Sequence, residues 1–160
     1  MRGFKGRMAE RMRKVMAVAS GGGHWVELRR IVPAFAGAEV IYVSTEPAAD
    51  PDLAPARYYA VRNVTRRNRL AFAVTIRQIL AILRSERPEV VITTGAAPGL
   101  VAIALAKLVC GSRTVWIDTI ANSERMTLSG RLARPVADAW LVQWPHLARP
   151  GGPEFWGAIL

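Results

Sequence analysis

"KVMAVASGGGHWVELRR", Lys14 to Arg30, is the stretch that decides how this chain folds. Val15 to Ala19 are all apolar and run into Ser20 and three glycines, which reads as a short buried strand ending in a tight loop. Trp25, Leu28, Val32 and Phe35 then follow at helical spacing, with Pro33 as a kink or stop. A strand, a glycine loop and a helix in succession form the opening unit of a parallel α/β sheet.

Working outward, the same alternation repeats. "EVIYVST" (39–45) is a second strand, Pro47, Pro51 and Pro55 mark a loop, and "RYYAV" (57–61) is a short third strand. A basic loop then feeds a long helix whose apolar stripe is Phe72, Ile76, Ile79 and Leu83, widened by Leu80 and stopped by Pro88. "EVVITT" (89–94) is the next strand, "GAAPG" (95–99) a second glycine loop, and Gly99–Cys110 an Ala/Leu helix. "RTVWID" (113–118), a short helix in "LSGRLARPVA" (128–137) and a last strand "AWLVQW" (139–144) complete the series. Strands that are apolar throughout belong to a sheet covered on both faces. The expectation is an α/β fold: one Rossmann-like domain over residues 14–160 with a mostly parallel sheet. Its site lies where strands end, at Ser20–His24, Thr94–Gly99 and Asp118–Arg125.

Bulk properties narrow the function. The 160 residues suffice for one domain with a core, and no run approaches the roughly 18 apolar residues of a membrane-spanning helix, so a soluble fold is expected. Lys and Arg outnumber Asp and Glu by 22 to 12, a net charge of +10 that favours polyanionic partners. No RNP-like aromatic motif, zinc spacing or recognition helix accompanies that charge, so nucleic acid is not the expected partner. Cys110 is the single cysteine, excludes a disulfide framework and reads as a small core residue in a reducing compartment. Residues 1–13 form a basic leader in which Phe4, Met8 and Met12 recur every four positions. Such a leader is either an amphipathic helix on anionic lipid or a disordered arm. Arg62, Arg66, Arg67 and Arg69 abut Leu70, Phe72 and Ile76, a juxtaposition that suits an anionic membrane surface.

The loops carry the chemistry. Gly22 and Gly23 permit close approach of a ligand, and a helix starting near Gly23 directs free N–H groups at an anion; a plain tight turn remains the alternative. The pattern is neither a Walker loop nor a dinucleotide fingerprint. His24 suits phosphate binding or proton transfer, and equally capping or packing. Gly95, Pro98 and Gly99 repeat the arrangement, or simply pack a helix. Asp118 at a strand end suits a base, a sugar-hydroxyl ligand or a cap, with Thr119 beside it. Trp144 and His146 follow the last strand, where an aromatic ring can stack on a sugar or a partner. No metal-ligand cluster, activated nucleophile or carboxylate pair is evident, and no cofactor is expected. The tail "PEFWGAIL" offers Phe155, Trp156, Ile159 and Leu160 as a partner anchor or as a segment folded back on its own sheet.

Taken together, "SGGGH" with "EL", "RPEVVITTGAAPG" and "WIDTIANSERMTLSGRLARPVADAWLVQWPHL" resemble the Alg14 family, including the bacterial exopolysaccharide proteins called PssD or EpsE-like. The likeness runs from about Lys14 to Leu160, and the glycine loop is shared with the N-terminal half of MurG. Gly22, Gly23 and His24 match the family's Gly-Gly-His, and Glu27 and Leu28 its following pair. Gly95, Pro98 and Gly99 match its second loop, Asp118–Thr119 its Glu-Ser, and Gln143–Trp144–Pro145 its Gln-Trp-Pro. Asn122 stands where Arg is common.

The resemblance implies half of a two-domain (GT-B) glycosyltransferase that binds a polyprenyl-diphosphate-linked acceptor at the cytoplasmic membrane face. It also implies recruitment of an Alg13-like catalytic subunit, with which a UDP-sugar is shared. On that reading His24 or Asp118 positions or deprotonates the acceptor. Gly22, Gly23, Gly95, Pro98, Gly99 and Thr119 hold its phosphate, and Trp144 and the tail dock the partner. The alternatives are a non-catalytic membrane scaffold and a stand-alone nucleotide-binding enzyme, for which Glu39 and Glu46 are rough ribose-binding candidates.

Overall fold

The structure, a computed structural model, describes residues 12–47, 51–53, 55–63 and 69–159. Most of the basic leader, Arg66, Arg67, the Arg69 side chain and Leu160 lie outside the described residues. Six strands carry the sheet: β1 (Lys14–Ala19), β2 (Glu39–Ser44), β3 (Arg57–Ala60), β4 (Val90–Thr93), β5 (Arg113–Ile117) and β6 (Ala139–Val142). A seventh, β7 (Glu154–Phe155), pairs Leu141 with Glu154 and Val142 with Phe155. Four helices connect them: α1 (Gly23–Arg30), α2 (Arg69–Glu86), α3 (Ala96–Val109) and α4 (Leu128–Ala133). The strand order is β3-β2-β1-β4-β5-β6-β7, and every pairing is parallel. The chain winds one way from β1 to β3 and the other way from β4 onward, so the crevice between β1 and β4 is the topological switch point.

Alternation along β1 shows how both faces are filled. Met16 and Val18 point into a core with Ile41, Ile79, Leu83, Val91, Ile103 and Trp116. Val15, Ala17 and Ala19 point the other way, onto Leu28, Phe35 and Tyr42. Trp25 of α1 closes that second core with edge-on contacts to Tyr42 and Tyr58. Cys110 is a free thiol packed against the larger core.

Three expectations need correcting, and one is met. The 139–144 strand is not the last, because the tail adds β7. The second glycine loop is shorter than expected, since α3 starts at Ala96 and takes Pro98 into its first turn, where a missing N–H costs nothing. The stop expected at Pro33 is met: α1 ends at Arg30, and Pro33 opens a 3-10 turn over Val32–Phe35. The buried face of α2 is Ala71, Thr75, Ile79, Ile82, Leu83 and Glu86, so the expected stripe is rotated and Phe72 is left 40% exposed. A polar Thr75 is tolerated inside because its hydroxyl donates to the Arg62 and Ala71 carbonyls.

The amino-terminal ends of the strands hold a charge cluster. Buried Glu86 accepts from Tyr59 at 2.6 Å, Arg57 at 2.6 Å and Lys14 at 3.4 Å, and Arg57 also grips Glu39. Burial pushes the Glu86 carboxyl up, but the Tyr59, Arg57 and Lys14 donors outweigh it and hold it below its ordinary range. Nearby, Asp138 is also held low, first by its Lys107 hydrogen bond, against burial, and with help from Thr114.

Candidate functional site

The site is built on the opposite edge, across the switch point. The imidazole Nδ1–H of His24, at the start of α1, donates to the Thr94 carbonyl at 2.9 Å, and the Thr94 hydroxyl donates back to the His24 carbonyl at 2.7 Å. Because a carbonyl only accepts, this contact places the proton on Nδ1. The outer nitrogen, Nε2, has no partner among the described residues. Gly95 makes room for the ring: a Cβ there would lie 2.8 Å from Cε1 of His24. Its backbone, at φ 126° and ψ −164°, belongs to a region that only glycine occupies readily.

Two helices begin here without side-chain caps or acidic residues in their first turns. The intrahelical bonds of α1 start with Val26 N–H on the Gly22 carbonyl, so the amides of Gly23, His24 and Trp25 precede them. In the second loop the Gly95 amide is taken by the Thr93 hydroxyl, which leaves Ala96 and Ala97 at the helix start. A Cβ on buried Gly99 would meet Thr93 Oγ1 at 2.0 Å. Gly99 therefore packs α3 closely on the end of β4, and Pro98 is buried beside it.

Asp118 is likewise occupied. It is 2% exposed; Oδ1 accepts from Trp116 Nε1 at 3.2 Å and the Thr127 hydroxyl at 2.6 Å, and Oδ2 accepts the Thr127 amide at 2.8 Å. Thr127 in turn caps α4 by accepting from Gly130. The aspartate thus closes the 119–126 loop onto the next helix and does not line the groove between that loop and His24. Thr119 faces inward too, donating to Oε1 of Glu27 at 2.8 Å, and Ile120 N–H donates to the same oxygen at 3.0 Å. Glu27 is 5% exposed, and its other oxygen has no hydrogen-bond partner among the described residues. The sequence reading gave Glu27 no role, although its position three residues after His24 put both on one helical face.

The Gln-Trp-Pro segment anchors the same loop from the far side. Gln143 Nε2 donates to the Asp118 carbonyl, Trp144 Nε1 donates to the Ile120 carbonyl, and His146 contacts the Ser123 carbonyl. Gln143 Oε1 accepts the Ile159 amide, so the tail does fold back along its own sheet. Phe155 and Trp156 nevertheless stay 38% and 70% exposed.

Between His24 and Ala96 on one wall and residues 121–129 and Arg131 on the other lies an open groove of about 800 Å³. His24 and Ala96, at the starts of α1 and α3, line its base, where helix N-termini favour negative charge. Glu39 belongs to the remote charge cluster, while Glu46 follows β2 and lays its side chain over Gly21. Among the described residues there is no group of His, Cys, Asp and Glu fit to hold a metal, and no helix long and apolar enough to cross a membrane.

Comparison with known proteins gives this geometry a context. The family model described as oligosaccharide biosynthesis protein Alg14 like matches residues 54–159. The UDP-N-acetylglucosamine transferase subunit ALG14 of Eremothecium gossypii is 34% identical over 95 residues, covering 56% of this chain and 42% of its own length. The subunit of the same name from Yarrowia lipolytica is 23% identical over 162 residues, covering 84% and 75% respectively. The chain therefore spans less than half of the first relative. Among solved structures, Acinetobacter baumannii MurG superposes with a TM-score of 0.70 at 14% identity, over 89% of this chain and 45% of that one. A UDP-N-acetylglucosamine 2-epimerase from Rickettsia bellii gives 0.61 at 15% identity, over 84% and 40%. Both likenesses establish the fold, that of one half of a two-domain GT-B protein.

Proposed function

The chain belongs to the family of Alg14-like oligosaccharide biosynthesis proteins, and from that premise we propose that it is the acceptor-holding subunit of a two-part glycosyltransferase. The relatives' printed names supply the donor class, a UDP-N-acetylglucosamine-type nucleotide sugar. A single lobe with an open groove fits a division of labour in which a second, Alg13-like lobe brings that donor. The acceptor is a polyprenyl-diphosphate-linked lipid whose phosphate faces the starts of α1 and α3. His24 takes the proton from the attacking hydroxyl through Nε2. The hydroxyl oxygen then bonds to the anomeric carbon, and the nucleotide diphosphate leaves from the opposite side with inversion. Asp118 contributes by fixing the loop and takes no proton.

Membrane attachment is peripheral and cytoplasmic in this reading. What supports it is the first two turns of α2, where Leu70 is 80% exposed and Phe72 and Val74 are exposed, with Arg62 before the helix and Arg77 within it. Phe155 and Trp156 provide the partner contact.

The observation that carries the reading is the His24–Thr94 tie, which fixes the imidazole tautomer at the switch point and leaves Nε2 available. The test uses the chain with its partner in detergent. His24→Ala should leave the complex in place and lower its melting temperature by only a few degrees, from loss of the Thr94 bond, while transfer falls about 10²-fold or more. Unchanged turnover removes His24 from the chemistry, and full activity of the partner alone reduces this chain to a scaffold.

A further inference from the structure

The two walls of the groove are carried by different strands. His24 and Ala96 follow β1 and β4, whereas the 121–129 wall follows β5. Asp118, Gln143, Trp144 and His146 fix that second wall to β5, β6 and the start of α4. Those bonds do not refer it to α1, which carries His24. We propose that Glu27 does so: it is a positioning residue that sets the second wall at its distance from the imidazole.

Glu27 comes three residues after His24 and lies one turn further along the same face of α1. Its Oε1 accepts from the Thr119 hydroxyl at 2.8 Å and from the Ile120 amide at 3.0 Å. The constraint is passed on. With its proton committed to Glu27, the Thr119 hydroxyl accepts the Ala121 amide at 3.3 Å, and the Thr119 carbonyl accepts the Asn122 amide at 3.4 Å. Ala121 and Asn122 are the first residues of the wall. Ile120 is held at both its backbone groups, the N–H by α1 and the carbonyl by Trp144 Nε1 at 2.8 Å. Glu27, Thr119 and Ile120 are not among the described residues that line the groove, so Glu27 acts through the loop.

Stability alone does not account for this side chain. Its Oε2 is closed off from solvent without a donor among the described residues, and such burial costs stability. What the carboxylate supplies against that cost is a charged acceptor at Oε1, and bonds to ionised acceptors are about twice as strong as neutral ones. A wall held in this way keeps one distance from His24, which proton transfer across a hydrogen bond demands. The role in transfer rests on the acceptor-holding function proposed for the chain; the tie between α1 and the loop does not.

Hydrogen exchange on the full chain reads the tie. Glu27→Ala should speed amide exchange across residues 119–123 at least about tenfold, from loss of two hydrogen bonds. Glu27→Gln keeps an oxygen for both donors and should stay within about threefold of wild type. Steady-state transfer by the partnered complex, with UDP-N-acetylglucosamine and a short-chain prenyl-diphosphate-linked monosaccharide, reads the role. Well below the melting temperature of each variant, Glu27→Ala should lower kcat/KM for the acceptor at least about tenfold and leave the donor KM unchanged. Glu27→Gln should recover it to within about threefold. Gly111→Ala, destabilised far from the groove, should transfer as wild type does. Unchanged exchange or undiminished transfer in Glu27→Ala overturns the proposal, and so does equal impairment of the Gln and Ala variants. A wild-type complex that transfers nothing overturns the functional reading, and the exchange rates then decide the tie alone. Should Glu27→Ala misfold, Thr119→Val removes the relaying hydroxyl instead, and the same exchange and kinetic pattern is required of it.

Discussion

Replacing Gly95 by alanine tests the geometry on which the groove depends. Two costs add at this position. The backbone, at φ 126° and ψ −164°, holds a conformation that costs a side-chain-bearing residue about 1–3 kcal/mol. The new methyl would lie 2.8 Å from Cε1 and 3.0 Å from Nδ1 of His24, so the ring must move. Its bond to the Thr94 carbonyl is then lost, worth about 1 kcal/mol.

Gly111 is the control. Its φ is 63°, nothing lies within 4 Å of a Cβ there, and alanine costs only the left-handed backbone term of about 1–2 kcal/mol. The entropy that alanine removes from the unfolded chain is common to both variants and cancels between them. At roughly 2–4 °C per kcal/mol for a chain of this size, Gly95→Ala should melt about 5–12 °C below wild type and Gly111→Ala only a few degrees below. Thermal melts followed by circular dichroism read the difference, and the partnered complex should lose about tenfold or more in transfer with Gly95→Ala alone. Equal melting of the two variants, or undiminished transfer by Gly95→Ala, would refute the contact between Gly95 and His24.

Asp118→Asn should lower stability by about 2–3 kcal/mol, because an amide N–H₂ must face a donor where the carboxylate accepted three hydrogen bonds. Denaturant titration measures this, with altered Trp116 fluorescence in the native baseline; wild-type stability would contradict the structural role. Glu86 and Asp138 both have folded pKa values below their ordinary ones, so each adds stability that is complete above the unfolded value and fades as pH falls through the folded one. The chain should hold constant stability from neutral down to about pH 5 and lose it progressively below, and Glu86→Gln should flatten that acid limb. An unchanged limb in the variant would show that Glu86 contributes nothing to it. Trp144→Phe keeps an aromatic ring, though a smaller one, and removes the donor to the Ile120 carbonyl; amide exchange in the 119–123 loop should quicken while global stability changes by about 1 kcal/mol.

The fold was legible because each strand carries its own punctuation. Val15–Ala19 before three glycines, and "EVVITT" before Gly95, mark both sides of the switch point. What sequence patterns could not convey was direction. Asp118, Thr119, Pro98 and Gly99 stand at strand ends as a ligand-binding residue would, yet each is engaged by protein. Which way a carboxylate turns depends on donors such as Trp116 and Thr127, one before the loop and one after it. The two-residue β7 is too short for periodicity and exists only because β6 offers an unpaired edge. Phe72 fits the apolar period of α2, but Thr75, satisfied by two carbonyls, takes the buried register instead.

The two edges of the sheet follow opposite electrostatic rules. At the amino-terminal edge, Lys14, Glu39, Arg57, Tyr59 and Glu86 satisfy one another, and Lys107 answers Asp138. At the carboxyl-terminal edge, polar groups remain without partners among the described residues: Nε2 of His24, Oε2 of Glu27, and the guanidinium groups of Arg125, Arg131, Arg134 and Arg149. An unmatched buried oxygen and a gathering of like charge both reduce stability. A fold that needed only to be stable has no use for such an arrangement, and the paired edge shows that this chain can avoid it. Polar groups left open around the groove are what the proposed acceptor-holding role requires.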